Sequence, residues 1–98
     1  PAAGFTLSRT GFEEEELLLF AVDPLARRRG LGRQMLAMLA SAAHARGARR
    51  LLLEMRRGNP AEALYREFGF VQIGERTNYY KLRDGRKVDA ITFAAPLQ

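Results

Sequence analysis

The spacing of apolar positions divides the chain into strands and helices before any residue chemistry is weighed. Residues 4–9 alternate apolar with polar, which predicts a half-buried strand. Thr10-Gly11-Phe12 predicts a turn, and the four glutamates at 13–16 predict an exposed acidic segment, because like charges at that density are usually solvated. Residues 17–22 form a nearly continuous apolar run, the pattern of a strand covered on both faces. Pro24 cannot donate a ladder hydrogen bond and stops it. From 31 to 46 the period becomes helical: Met35, Leu39, Ala42 and Ala43 share one face, widened by Leu36 and Met38. Gly47 fits the position after the helix cap and Arg46 suits the negative end of the dipole, while His44 falls in the last turn as a surface residue.

Residues 50–55 read as a second buried strand. Strand, helix and strand in close succession predict a right-handed crossover between parallel strands. The loop Arg56-Arg57-Gly58-Asn59-Pro60 closes on a short helix, with Asn59 as cap and Pro60 in the first helical position. Ala61, Leu64, Tyr65 and Phe68 share its face, and Gly69 ends it. Residues 70–73 then alternate as a strand that 78–80 continue, Asp84-Gly85 reads as a hairpin turn, and residues 88–94 as the antiparallel return. The pattern is that of one α/β (α+β) domain over residues 1–98, without internal repeats or low-complexity linkers.

Charge adds a partner class. The net charge is +5 and the isoelectric point near 10.4, which suggests an anionic ligand. The excess lies between Arg27 and Arg57, where Glu54 is the only acid. No Phe, Tyr or Trp is interleaved with those arginines, so they lack a stacking platform for bases and a direct nucleic-acid role is not favoured. The absence of cysteine excludes disulfides and thiolate catalysis and fits a cytoplasmic location. A single histidine argues against a multi-histidine metal site, so no metal is expected. No apolar run reaches the ~20 residues of a membrane span, and the first residues do not read as a signal peptide.

The strand at 17–22, the basic glycine turn Arg27-Arg28-Arg29-Gly30-Leu31-Gly32-Arg33 and the helix after it form a ready phosphate seat. A helix start offers unpaired N–H groups and partial positive charge, and glycines allow close backbone approach. The nucleotide P-loop is excluded, since no Gly-Lys-Ser/Thr occurs; the dinucleotide fingerprint is excluded because Met35 stands where its third glycine would be. Glu54 ends an apolar strand. Apolar surroundings would raise its pKa and suit a general base; the alternative is a strand-end glutamate paired with Arg56 or Arg57. Tyr65 by itself reads as core packing.

The spelling Arg27-x-x-Gly30-x-Gly32 after Ala21-Val22-Asp23-Pro24 resembles the pyrophosphate loop of the GNAT superfamily of acetyl-CoA-dependent N-acetyltransferases. The resemblance is closer to the RimI ribosomal-protein alanine N-acetyltransferases. It is carried by Leu53-Glu54-Met55-Arg56, Asn59, Leu64-Tyr65 with Gly69-Phe70, Arg76 with Asn78-Tyr79-Tyr80, and Asp89-Ala90-Ile91. It implies a mixed sheet with splayed parallel central strands, two helices and a C-terminal antiparallel hairpin. It further implies that the backbone of Phe20, Ala21 and Val22 pairs with the pantetheine arm of acetyl-CoA, that Arg28, Arg29, Gly30, Leu31, Gly32 and Arg33 hold its pyrophosphate, and that Asn59 bonds the cofactor. Glu54 matches the family's general base, acting through water, and Tyr65 its general acid.

Two departures stand out. The family has one more residue between its asparagine and tyrosine than lies between Asn59 and Tyr65; a gap in the loop keeps the tyrosine in place, whereas one inside the helix would turn it by about 100°. The family's N-terminal strand, two helices and further strand have no counterpart here, so the chain is expected to associate, as a dimer or by exchange of elements, or to be unstable alone. The leading expectation is acetylation of a ribosomal protein's N-terminal alanine. The alternatives are another amine acceptor, a small molecule or a different protein, and a non-catalytic module binding RNA or protein.

Overall fold

A computed structural model of the protein describes residues 4–22 and 30–97. Pro24, Arg28 and Arg29 lie outside the described residues. The chain runs β1 (Gly4–Thr10), β2 (Glu14–Val22), α1 (Leu31–Ala45), β3 (Arg50–Arg56), α2 (Glu62–Phe68), β4 (Val71–Lys81) and β5 (Lys87–Pro96). The strands form one mixed sheet in the order β1-β2-β3-β5-β4, with β2 and β3 parallel and the other neighbours antiparallel.

Alternation decides which face is buried. Leu51, Leu53 and Met55 of β3 pair with Ala95, Phe93 and Ile91 of β5 and pack beneath the helices with Leu17, Leu36, Leu39, Ala43, Tyr65 and Phe70. Leu52, Glu54 and Thr92 point to the opposite face and stay partly exposed. The buried positions of α1 are Leu36, Leu39 and Ala43. Met38 and Ala42, placed on the apolar face by the sequence, are exposed and border a groove between α1 and β1 of about 400 Å³. α1 ends as expected: Gly47 adopts φ +97°, its N–H bonds to the carbonyl of His44, and that of Ala48 to Ala43.

Three expectations fail in instructive ways. The acidic run is not a solvated end: β2 starts at Glu14, and Glu15 is fully buried. Each of the four glutamates meets an arginine, Glu13 with Arg49, Glu14 with Arg50, Glu15 with Arg46 and Glu16 with Arg9. Part of the basic excess is therefore matched inside the fold. The strand at 17–22 is not covered on both faces, since Leu18 remains 47% exposed. Its β1 partners step from Leu19 to Leu17 and skip Leu18, a bulge that breaks the alternation. Finally, the strand read as alternating from residue 70 begins one residue later, after the buried Phe70, and leaves both Val71 and Ile73 exposed; it does run on through 78–80 as the sequence indicates, as the single edge strand β4. Among the described residues no helix is long and apolar enough to cross a membrane.

Candidate active site

The site begins where two strands part. The parallel ladder pairs Glu14 with Arg50, Glu15 with Leu51, Glu16 with Leu52 and Leu17 with Leu53, and ends there. Yet β2 continues to Val22 and β3 to Arg56. The split coincides with the bulge at Leu18, and β2 remains bound to β1 as far as Val22. Phe20, Ala21 and Val22 thus form one arm of a fork whose inner side has no ladder partner among the described residues. Backbone groups there are free to bond a ligand.

Glu54 is the first β3 residue beyond the last shared rung. Its side chain is 23% exposed and faces the guanidinium of Arg76 at 3.5 Å. This corrects both sequence readings of its surroundings: the neighbour is neither an apolar wall nor Arg56 or Arg57. Arg57 instead meets Glu75 and Asp89. Arg76 also lies 4.9 Å over the ring of Tyr79, which stands edge-on to Tyr80 at 5.2 Å. Burial pushes the Tyr80 phenol up, and the Glu54 carboxylate and Tyr79 add to this, against the opposing charge of Arg76. Arg76, Tyr79 and Tyr80 carry part of the family resemblance, which implies no role for them. Their spacing spans a bulged strand, so no simple period announces a shared cluster.

Tyr65 projects from α2 into the core and is 7% exposed. Its ring lies edge-on to Phe20 at 6.0 Å and to Phe70 at 5.7 Å. The core-packing reading of Tyr65 is therefore correct, and the contact with Phe20 also sets it beside the β2 arm. Burial pushes its phenol pKa up. Tyr65 shares the buried face with Leu53 and Met55, whereas Glu54 points to the other face; the parted strands lie between the two.

Gly30, Leu31, Gly32 and Arg33 open α1. Gly30 has φ +75°, a conformation that favours glycine, and its carbonyl accepts the first helical bond from Gln34. Among the described residues no side chain caps this end, and no acid occupies the first turn, which leaves the positive end of the dipole without a described partner. Gly32 has a different task. A Cβ there would lie 3.0 Å from Leu64 Cδ2 and 3.5 Å from Phe20 Cζ, so this glycine lets α1, α2 and the β2 arm meet. Asn59 is partly buried, and its Oδ1 accepts the Ala61 N–H at 2.9 Å; this bond holds the turn ahead of α2 and is not the helix cap the sequence suggested, since the cap position is Ala61 and no side chain bonds there. The helix proper starts at Glu62, two residues later than Pro60 suggested.

The "Acetyltransferase (GNAT) domain" family matches residues 2–72. The [ribosomal protein bS18]-alanine N-acetyltransferase of Escherichia coli K12 is 42% identical over 96 residues, covering 97% of this chain and 64% of that protein. The crystal structure of the ribosomal-protein-S18-alanine N-acetyltransferase from Escherichia coli superposes with a TM-score of 0.87 at 41% identity, over 98% of this chain and 62% of that one. A GNAT family acetyltransferase from Elizabethkingia anophelis, solved with acetyl-CoA bound, superposes with a TM-score of 0.86 at 20% identity, over 99% of this chain and 70% of its own. The chain thus spans just under two thirds of the length of the bS18-modifying relative.

Proposed function

Because the chain belongs to the GNAT acetyltransferase family, we propose that residues 1–98 form a single, partial GNAT domain. It transfers an acetyl group from acetyl-CoA to the α-amine of a protein N-terminus, with the N-terminal alanine of a ribosomal protein as acceptor. The relatives' bS18-alanine activity supports the choice of acceptor. The observation that carries the chemistry is the parting of β2 and β3 beyond Leu17 and Leu53, with Glu54 at its root.

In this reading the fork receives the thioester arm of acetyl-CoA. The free backbone of Phe20, Ala21 and Val22 bonds the pantetheine and polarises the thioester carbonyl as an oxyanion hole would. The open start of α1, at Gly30, Leu31, Gly32 and Arg33, holds the pyrophosphate together with Arg28 and Arg29. Asn59 contributes its amide N–H groups, since its oxygen is engaged by Ala61. Glu54 takes a proton from the incoming ammonium through a water molecule. The neutral amine then attacks the thioester carbonyl, and the tetrahedral adduct collapses with loss of the CoA thiolate; the second proton of the former amine nitrogen leaves to solvent, which also reprotonates Tyr65 after it has acted. Tyr65 gives that thiolate its proton; burial keeps the phenol protonated at neutral pH and above. Glu54 and Tyr65 serve opposite faces of the sheet, which suits direct transfer: the amine arrives on one side and the thiolate leaves on the other. The contact between Tyr65 and Phe20 of the β2 arm supports placing the missing residue between Asn59 and Tyr65 in the loop.

The test is calorimetry with acetyl-CoA followed by acetyl transfer to a peptide beginning with alanine, beside a small-molecule amine. The comparison includes a longer chain carrying the family's N-terminal elements. Binding with transfer to the peptide alone supports the reading. Absence of acetyl-CoA binding by both chains removes it, and transfer to the small amine alone reassigns the acceptor.

A further inference from the structure

β4 carries a bulge opposite one residue. Arg76 pairs with Ala90 and Tyr80 with Val88, so β4 spends four residues where β5 spends two. Thr77, Asn78 and Tyr79 all face the single position Asp89. Asn78 takes φ +54°, which a non-glycine residue adopts rarely. Asp89 secures this turn with its side chain. Its Oδ1 accepts the Asn78 backbone N–H at 2.9 Å, and its Oδ2 accepts Arg57 Nε at 3.3 Å. Its backbone carbonyl accepts the Arg57 N–H at 2.8 Å.

The bulge re-aims what flanks it. Arg76 precedes it and reaches Glu54; Tyr79 lies within it and meets Arg76 through the face of its ring; Tyr80 follows it and packs on Tyr79. A regular β4 would leave Arg76 and Tyr80 on one face and send Tyr79 to the other.

We propose that Asp89 is a positioning residue: by holding Asn78 in its left-handed turn, it keeps Arg76, Tyr79 and Tyr80 gathered against Glu54, on the side from which the acceptor amine arrives. This rests on the acetyl-transfer reading given above. Asp89 touches neither substrate nor reacting atoms; it acts through the backbone of β4.

The test uses the 98-residue chain and three variants. In Asp89→Ala the KM for an alanine-starting peptide rises roughly tenfold, the size of effect expected when a reacting group is misplaced slightly, while the KM for acetyl-CoA stays within about twofold. Asp89→Asn keeps an oxygen for the Asn78 N–H and stays close to the parent. Asp89→Ala combined with Asn78→Gly regains much of the loss, because glycine holds a positive φ unaided. Near-ultraviolet circular dichroism provides a readout free of activity: the chain has three tyrosines and no tryptophan, and Asp89→Ala alone should flatten the tyrosine band. Unchanged peptide KM and tyrosine band in Asp89→Ala overturn the proposal. So does Asp89→Asn losing as much as Asp89→Ala, or a double variant that regains nothing. Should neither the parent chain nor the longer chain transfer an acetyl group, the acetyl-transfer reading fails while the tyrosine band still decides the role of Asp89. If Asp89→Ala does not fold, the asparagine and double variants decide it.

Discussion

Leu17 and Leu53 face each other across the last rung of the parallel ladder, and past them the two central strands do not pair again among the described residues. The pair forms the root of the fork, and Glu54 is its immediate neighbour. That placement separates proton removal from cofactor affinity, because Glu54 points away from the face on which the helices lie. Glu54→Gln keeps size and hydrogen bonding but cannot take up a proton. Turnover should fall roughly 10²- to 10⁴-fold, the usual worth of a general base. Acetyl-CoA affinity, by calorimetry, should change by less than about threefold. Comparable losses in both quantities would remove Glu54 from the role of base.

Tyr65 is both a core residue and the candidate acid, and Tyr65→Phe separates the two functions. The ring contacts with Phe20 and Phe70 survive the loss of one oxygen, so the melting temperature should hardly move. The chemical step should slow by roughly 10²-fold or more, read by single-turnover kinetics. An undiminished rate would show that another group protonates the thiolate and that Tyr65 serves packing alone.

Most strands and both helices were legible in the sequence because their signals are local. The period of α1, the closing Gly47 and the apolar run of β3 each depend on neighbours in the chain. Legibility failed where a distant partner decides the outcome. The glutamates at 13–16 read as solvated because nothing nearby announces Arg46 or Arg50, which sit across the fold. The bulge at Leu18 and that opposite Asp89 are properties of pairing register, which a single strand does not display. For the site, residue types at the turn and on β3 pointed to Gly30, Gly32 and Glu54. The partner of Glu54, Arg76, comes from a strand that is not adjacent to β3 in the sheet, and only the fold brings it there.

Gly30 and Gly32 stand two residues apart yet should fail for different reasons. Gly30→Ala places a side chain at φ +75°, with nothing among the described residues within 4 Å of the new Cβ; the cost is backbone strain of about 1–2 kcal/mol. Gly32→Ala meets Leu64 at 3.0 Å, and the overpacking costs about 1–3 kcal/mol, partly offset by alanine's better helix propensity. A double-mutant cycle with Leu64→Ala distinguishes them. The effect of Gly32→Ala should shrink in the Leu64→Ala background, whereas that of Gly30→Ala should be additive. Equal coupling at both glycines would contradict the contact seen at Gly32.

The buried ion pair at the start of β2 sets an acid limit on stability. Glu15 is fully buried and accepts from Arg46 Nε at 3.1 Å, from the second Arg46 nitrogen at 2.5 Å and from the Ser8 hydroxyl at 2.6 Å. Burial alone would raise its pKa. The bonds from Arg46 and Ser8, the Arg46 charge and the longer bond from Thr10 outweigh that, and the carboxyl titrates below its ordinary value of 4.5. A depressed pKa in the folded state means that the stabilisation is complete above the unfolded value and is lost as pH falls through the folded one. Glu15→Gln should therefore cost about 1–3 kcal/mol near neutral pH, with Arg46 able to turn its half-exposed guanidinium to water and hold the loss to that range. Urea unfolding at about pH 7 and again at about pH 3 checks this: the parent should weaken toward acid faster than the variant, so that the gap between them narrows. A gap of constant size across that interval would mean that the Glu15 charge contributes nothing to the folded state.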